Sequence, residues 1–192
     1  IETDWERYLL MYGIQALSKE EWQGYELVFR YESTHFYDAE IKQDSNGFYI
    51  SFVRRPFLTA MTKEFTGELF ADHWDNIQAF GIFHGSNLIA CLEISHEEWS
   101  NRLRVTTIWV AEKFRRKGFG KNLLTLAKSK ALELGCRALM LETQSCNDKA
   151  IAFYLSQGLT LFGFDRSCYS NSDIEKHEVR LELGMYLETP AE

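Results

Sequence analysis

No C-x-x-C pair occurs among the four cysteines, Cys91, Cys136, Cys146 and Cys168, so zinc-ribbon and thioredoxin-like chemistry have no framework. None of the five histidines (His35, His73, His84, His96, His177) forms an H-x-x-x-H spacing, and a metal site is not expected. G-x-S-x-G is absent and no serine nucleophile stands out. No apolar run is long enough to suggest a membrane span or a signal sequence. There is no excess of positive charge either. The formal net charge is −7, so the protein as a whole should repel nucleic acid and anionic membranes and favour cationic partners such as amines. Cys91 and Cys136 lie in or beside apolar runs and read as buried free thiols. The simplest compartment is a reducing cytoplasm. The chain opens at Ile1 rather than Met, so its natural start is expected to be missing.

The 192 residues are 45% hydrophobic and 26% charged, an ordinary globular balance for one domain or at most two small ones. The chain is organised around Leu103 to Asp165. An apolar, β-branched run from Val105 to Val110 leads into Arg115-Arg116-Lys117-Gly118-Phe119-Gly120-Lys121, and a long amphipathic segment follows. That order is strand, Gly-rich turn, helix. The helix start leaves backbone N–H groups unpaired at the positive end of its dipole. Two glycines let a ligand approach the backbone closely. Together with the cations this makes a phosphate site. The loop is neither G-x-x-x-x-G-K-[ST] nor G-x-G-x-x-G, which argues against a nucleotide triphosphatase and against the dinucleotide fold.

A short capped helix is expected after Thr3-Asp4, ending at Gly13. Ser18-x-x-Glu21 matches a capping box, with Gly24 allowing little more than one turn. Tyr25 to Tyr31, Phe36 to Ile41 and Phe48 to Val53 read as strands, with Asp44-Ser45-Asn46-Gly47 as a turn and Pro56 as a stop. Phe65, Leu69, Phe70 and Trp74 are spaced for an amphipathic helix over Thr62 to Trp74. Ala79 to Phe83, Leu88 to Ile94 and Leu103 to Val110 form an antiparallel meander whose third strand feeds the Gly loop. His96 to Asn101 reads as a loop. A helix follows from Gly118 to Leu134, with Leu123, Leu126, Ala127, Lys130 and Ala131 near one face. Leu139 to Leu141 is a strand covered on both sides, suited to a parallel neighbour. A second helix spans Asp148 to Gln157, and strands follow at Leu159 to Phe164 and Glu178 to Met185. The expectation is one domain over 1–192, with N-terminal additions over 1–46 and the core over 47–192.

Trp109-Val110, RRKGFG at Arg115 to Gly120, and N-x-x-A-x-x-F-Y-x-x-x-G at Asn147 to Gly158 resemble, in order and separation, the GNAT superfamily of acetyl-CoA-dependent N-acetyltransferases. LMLETQ (Leu139 to Gln144), followed by AIAFY and GFD, is similar to the streptothricin acetyltransferase group. The resemblance covers about Gln78 to Leu183. F-x-Y-x-S at Phe29 to Ser33 is a looser echo. It implies an α/β (α+β) fold with a mixed, mostly antiparallel central sheet flanked by helices, and splayed parallel strands holding acetyl-CoA. It also implies that Trp109 and Val110 meet the pantetheine arm and that Asn147 hydrogen-bonds it. Arg115, Arg116, Lys117, Gly118, Phe119, Gly120 and Lys121 would hold the pyrophosphate, chiefly through main-chain N–H groups. The acetyl group would be fixed near Tyr154.

The resemblance makes Tyr154 the general acid that protonates the departing thiolate. By itself the Phe153-Tyr154 pair reads first as aromatic packing of a helix on a sheet. Many family members carry a glutamate on the strand before the Gly loop. Here that strand reads Thr106-Thr107-Ile108-Trp109-Val110, with no carboxylate. Glu142 and Glu93 remain as candidates for the base or for binding the amine, and a water chain is a further route. Glu142 inside an apolar strand is costly unless paired, and Arg137 or Arg104 are the cations at hand. Cys146 as a nucleophile lacks a neighbour in sequence that would lower its pKa. The expected activity is direct acetyl transfer to a small cationic amine, with a streptothricin-type antibiotic in view. Acetylation of a protein N-terminus or lysine, and a non-catalytic acetyl-CoA sensor, are the alternatives. A monomer or a homodimer is expected.

Overall fold

The computed structural model describes residues 13–187. The helix expected over Thr3 to Tyr12 lies outside them. The chain divides into two compact units. The first comprises Ile1–Phe29, Phe65–Leu141 and Met185–Glu192; the second comprises Arg30–Glu64 and Glu142–Gly184.

In the first unit, β1 (Ile14–Leu17), β4 (Ile77–His84), β5 (Asn87–Glu97), β6 (Arg102–Val110) and β7 (Ala138–Gln144, which runs on into the second unit) follow one another across a sheet. The pairs are antiparallel except β6 with β7, which is parallel. The parallel pair needs a crossover, and α2 (Phe119–Glu133) supplies it. α2 packs on β5 and β6 and buries Leu123, Leu124, Leu126, Ala127, Lys130 and Ala131. Its apolar spacing is the reason it forms there, and the buried Lys130 reaches Glu133 at 3.2 Å. Gly135, at φ +64, follows the helix. A second cluster joins Leu17, Leu27, Leu69, Phe70, Ala79, Leu88 and Cys91. Cys91 and Cys136 are both buried free thiols.

The region before the meander differs from expectation. α1 (Lys19–Trp22) is a single turn, and Ser18 makes no side-chain cap. β2 (Glu26–Asp44) and β3 (Gly47–Glu68) then form one long two-stranded ribbon. The two strands expected before the turn are one. Pro56 does not end β3, because a two-stranded ribbon leaves one edge of each strand without a ladder, where proline is tolerated. The helix expected over Thr62 to Trp74 is strand as far as Glu68. Phe65 stacks on Phe29 at 5.0 Å, and Leu69 N–H donates to the Tyr25 carbonyl. This cross-strand pairing overrides the helical spacing. Phe70, in the left-handed region at φ +56, ends the extended run. The expected loop over His96 to Asn101 is also shorter, since His96 and Glu97 still pair in β5.

In the second unit, α3 (Asp148–Ser156) is followed by β8 (Thr160–Asp165) and β9 (Arg180–Tyr186), an antiparallel pair. Ile151, Val179 and Leu181 form its core, flanked by Tyr37, Ala39, Phe52 and Phe164.

Candidate active site

β6 changes character half-way along. Its ladder with β7 runs from Arg102↔Ala138 to Val105↔Leu141, whereas β6 itself continues to Val110. At the same point its register with β5 slips: Glu93 faces Thr107 but Ile94 faces Val105. Thr106 is the extra residue of a β-bulge, a device that ends pairing and re-aims side chains. Here it turns the Thr106 hydroxyl onto Glu93, donating at 2.7 Å to one carboxylate oxygen. The other oxygen accepts from Phe70 N–H at 2.6 Å. Glu93 is 1% exposed.

Glu93 therefore has structural partners on both oxygens, and one of them anchors a residue at positive φ. Losing hydrogen bonds to a buried charged group costs about 1.5–3 kcal/mol. Glu93→Ala is expected to lower stability by about 3 kcal/mol, read by chemical denaturation. A loss under about 0.5 kcal/mol, the size of an ordinary surface substitution, would remove Glu93 from this role.

Beyond the bulge, Trp109 and Val110 pair with Cys91 and Ala90. The Trp109 indole donates to the Val28 carbonyl at 2.9 Å. Ala111 N–H closes onto the Ile89 carbonyl at 2.8 Å. A 3-10 turn, Glu112–Phe114, carries the chain into the loop. Arg115 is tied back to the Val110 carbonyl through Nε at 3.0 Å. Arg116 takes φ +60 and Gly118 takes φ +92 as the N-cap of α2. Asn122 N–H returns to the Gly118 carbonyl, so the first helical N–H groups, at Phe119, Gly120 and Lys121, precede the intrahelical ladder. The first turn of α2 holds no acidic residue. Arg116, Lys117 and Lys121 are exposed beside it, and the Lys117 ammonium lies 5.1 Å from the centre of the Phe114 ring. Backbone N–H groups, a helix N-terminus and exposed cations together make an arrangement that can take an anion.

The second unit holds the other predicted residues. Asn147 is the N-cap of α3, its side-chain oxygen accepting from Ala150 N–H at 3.3 Å. Asp148 is gripped by Arg54 through two bonds of 2.7 and 3.0 Å. Arg54's hydrogen bonds hold that carboxyl below its usual range, against the opposing effect of burial. Tyr154 is buried beside Phe153, ring centroids 5.3 Å apart. Burial pushes its phenol well above the ordinary value, so it stays protonated.

Glu142 is not enclosed as its apolar strand suggests; its side chain is exposed. Its partner is neither Arg137 nor Arg104. Arg180 binds it at 2.8 Å, and the Tyr169 hydroxyl donates to it at 3.3 Å. Arg137 donates to the Ser100 carbonyl, and Arg104 pairs with Glu97. Arg180 also holds Glu182 at 2.9 Å, so two carboxylates share one guanidinium. Sequence reasoning overlooked Thr106, whose role needs the bulge, and the Arg54–Asp148 pair, whose members are 94 positions apart.

Known proteins resemble this chain in sequence and in fold. A 97-residue stretch is 32% identical to a streptothricin acetyltransferase of Streptomyces lavendulae, covering 50% of this chain and 49% of that one. The chain spans about half the length of the curated relatives it matches. The crystal structure of a nourseothricin acetyltransferase superposes with a TM-score of 0.71 at 25% identity, over 91% of this chain and 98% of that chain. A Bacillus anthracis protein solved in complex with acetyl coenzyme A superposes with a TM-score of 0.67 at 20% identity, over 91% and 97%. The superposed stretches take in the mostly antiparallel sheet and its parallel β6–β7 pair. The sequence model of the acetyltransferase (GNAT) family matches residues 50–159, which take in the interrupted β6 ladder, the Gly118 loop and the Asn147-capped helix, and the chain belongs to that family.

Proposed function

We propose that the protein moves the acetyl group of acetyl-CoA directly onto a primary amine of a cationic small molecule, with streptothricin-type antibiotics as the leading acceptors. The observation that carries this reading is the β6–Gly118–α2 passage: a strand freed from its parallel neighbour, leading into a positive-φ glycine at a helix start with no acid in its first turn. The names of the relatives support the acceptor class.

The residues present fit acetyl-CoA. The N–H groups of Phe119, Gly120 and Lys121 suit a pyrophosphate, with Gly118 giving close approach and Arg115, Arg116, Lys117 and Lys121 adding charge. Backbone groups of Trp109 and Val110 suit the amides of the pantetheine arm. The Asn147 carbonyl caps α3, so the amide nitrogen is the part of that side chain that serves the arm. Acetyl-CoA supplies an acetyl group activated as a thioester. Tyr154 holds a proton for the sulfur that leaves. β6 carries no carboxylate, and Glu93 is buried with both oxygens engaged. We assign the amine to Glu142, whose carboxylate also has partners in Arg180 and Tyr169 but is exposed, so that it can accept an ammonium group beside them and take its proton directly or through water.

Release of free thiol from acetyl-CoA with a panel of amine antibiotics, polyamines and peptides tests the reading. Tight CoA binding without turnover on any amine would leave only a binding module. Replacing Arg115, Arg116 and Lys117 together by Ala is expected to raise the KM for acetyl-CoA about tenfold or more, with kcat little changed. These cations touch a part of the ligand that does not change during transfer, so they contribute uniform binding. A fall in kcat at normal KM would contradict that role.

A further inference from the structure

Three side chains of the second unit form a hydrogen-bonded chain that the mechanism above does not use. The Tyr31 hydroxyl donates to the Gln144 side-chain carbonyl at 2.9 Å and lies 3.3 Å from Cys146 Sγ. A phenol has one proton. With that proton on Gln144, the remaining contact is the Cys146 thiol donating to the phenol oxygen. The opposite arrangement, with the Gln144 amide turned round, would spend the phenol proton on a thiol sulfur, a weak acceptor. Both groups are kept protonated. Burial pushes the Tyr31 phenol and the Cys146 thiol above their ordinary values. The direction of the chain is therefore set: thiol to phenol to amide carbonyl.

The consequence falls on the other end of Gln144. Its carbonyl is occupied, so its NH2 group, which has no hydrogen-bond partner among the described residues, is presented as a donor. Gln144 is the last residue of β7, and its side chain is only part-buried. Glu142 stands two residues earlier on the same face of β7, about 7 Å along the strand. One face thus carries an exposed carboxylate, held by Arg180 yet open to a second cation, and an oriented N–H donor for an oxygen.

We infer that Gln144, held by Tyr31 and Cys146, is a specificity-determining donor for the acceptor molecule, selecting amines that bear a carbonyl or hydroxyl oxygen over bare alkyl amines. Tyr31 is its positioning residue. The inference rests on the acetyltransferase reading and deepens it. A site that hydrogen-bonds an oxygen of its ligand discriminates against the analogue lacking it, because the donor is then left unpaired.

Lysine amide and 1,5-diaminopentane test this, since they differ only by the carboxamide. The wild-type protein is expected to favour lysine amide in kcat/KM by about tenfold, the size of one such hydrogen bond. Gln144→Ala should erase that preference by slowing lysine amide and leaving the diamine unchanged. Tyr31→Phe keeps the ring and should do the same to a smaller extent. The double variant should match Gln144→Ala, because Tyr31 acts through Gln144. Equal losses on both amines, or a preference that survives in Gln144→Ala, would overturn the inference. Equilibrium binding of the two amines to the CoA-loaded protein makes the same comparison without turnover. A protein that binds lysine amide selectively but transfers nothing would sink the acetyltransferase reading and uphold the donor; equal binding of both amines would sink the donor.

Discussion

Tyr154→Phe is expected to lower kcat about 10²-fold while leaving CoA affinity and stability close to wild type. The ring and its contact with Phe153 remain, so packing survives; only the hydroxyl proton is lost. General acid catalysis contributes about 10²–10⁴-fold, and two facts put this case at the low end. A thiolate leaves readily, because thiols ionise near pH 8.5 whereas phenols do so near about 10. Burial raises the Tyr154 phenol further still, so complete proton transfer to sulfur is uphill and the hydroxyl acts mainly by hydrogen bonding. The sign of the pH effect follows. The acid must be protonated to act, and a raised pKa keeps it so as pH climbs. The fall in kcat that marks its ionisation is displaced upward, and wild type and Tyr154→Phe should run parallel through pH 9. An alkaline fall below pH 9 that disappears in the variant would contradict the buried environment. Full activity in Tyr154→Phe would return the residue to aromatic packing.

The parts legible in the sequence are those whose signal is local. The β4–β5–β6 meander, the Gly loop, α2 with its buried face and α3 each carry their own periodicity or turn residues, and each lies within three residues of where that pattern puts it. The β2–β3 ribbon was not legible over its full length. Phe65, Leu69 and Phe70 repeat at intervals a helix would use, and what decides against a helix is Phe29 stacking from the opposite strand. Glu142 shows the same limit. Its apolar neighbours suggest burial, yet alternation along β7 turns it outward, and its cation, Arg180, comes from β9. The Tyr31–Gln144 bond joins positions 113 apart. F-x-Y-x-S and LETQ both stand out in the sequence, but no spacing rule connects them.

Gly118→Val is expected to weaken CoA binding by about 30–100-fold, or about 2–3 kcal/mol. Gly118 sits at φ +92, where a β-branched residue is strained. A Cβ built there meets no protein atom within 4 Å. A methyl group at this position therefore disturbs nothing inside the fold; it costs backbone strain, and it occupies the space through which a phosphate would approach the helix start. Strain and obstruction are separable because α2 offers a matched control at its other end. Gly135 has φ +64 and likewise nothing within 4 Å of a built Cβ, but it caps the helix C-terminus, where the dipole disfavours anions. Gly135→Val should lose comparable stability and leave CoA affinity unchanged. Gly120→Val, inside the first turn, should weaken CoA as well. Stability from thermal unfolding and CoA affinity from calorimetry decide the matter. If Gly118→Val binds CoA as tightly as Gly135→Val at equal loss of stability, the loop is an exposed basic turn and the phosphate site lies elsewhere.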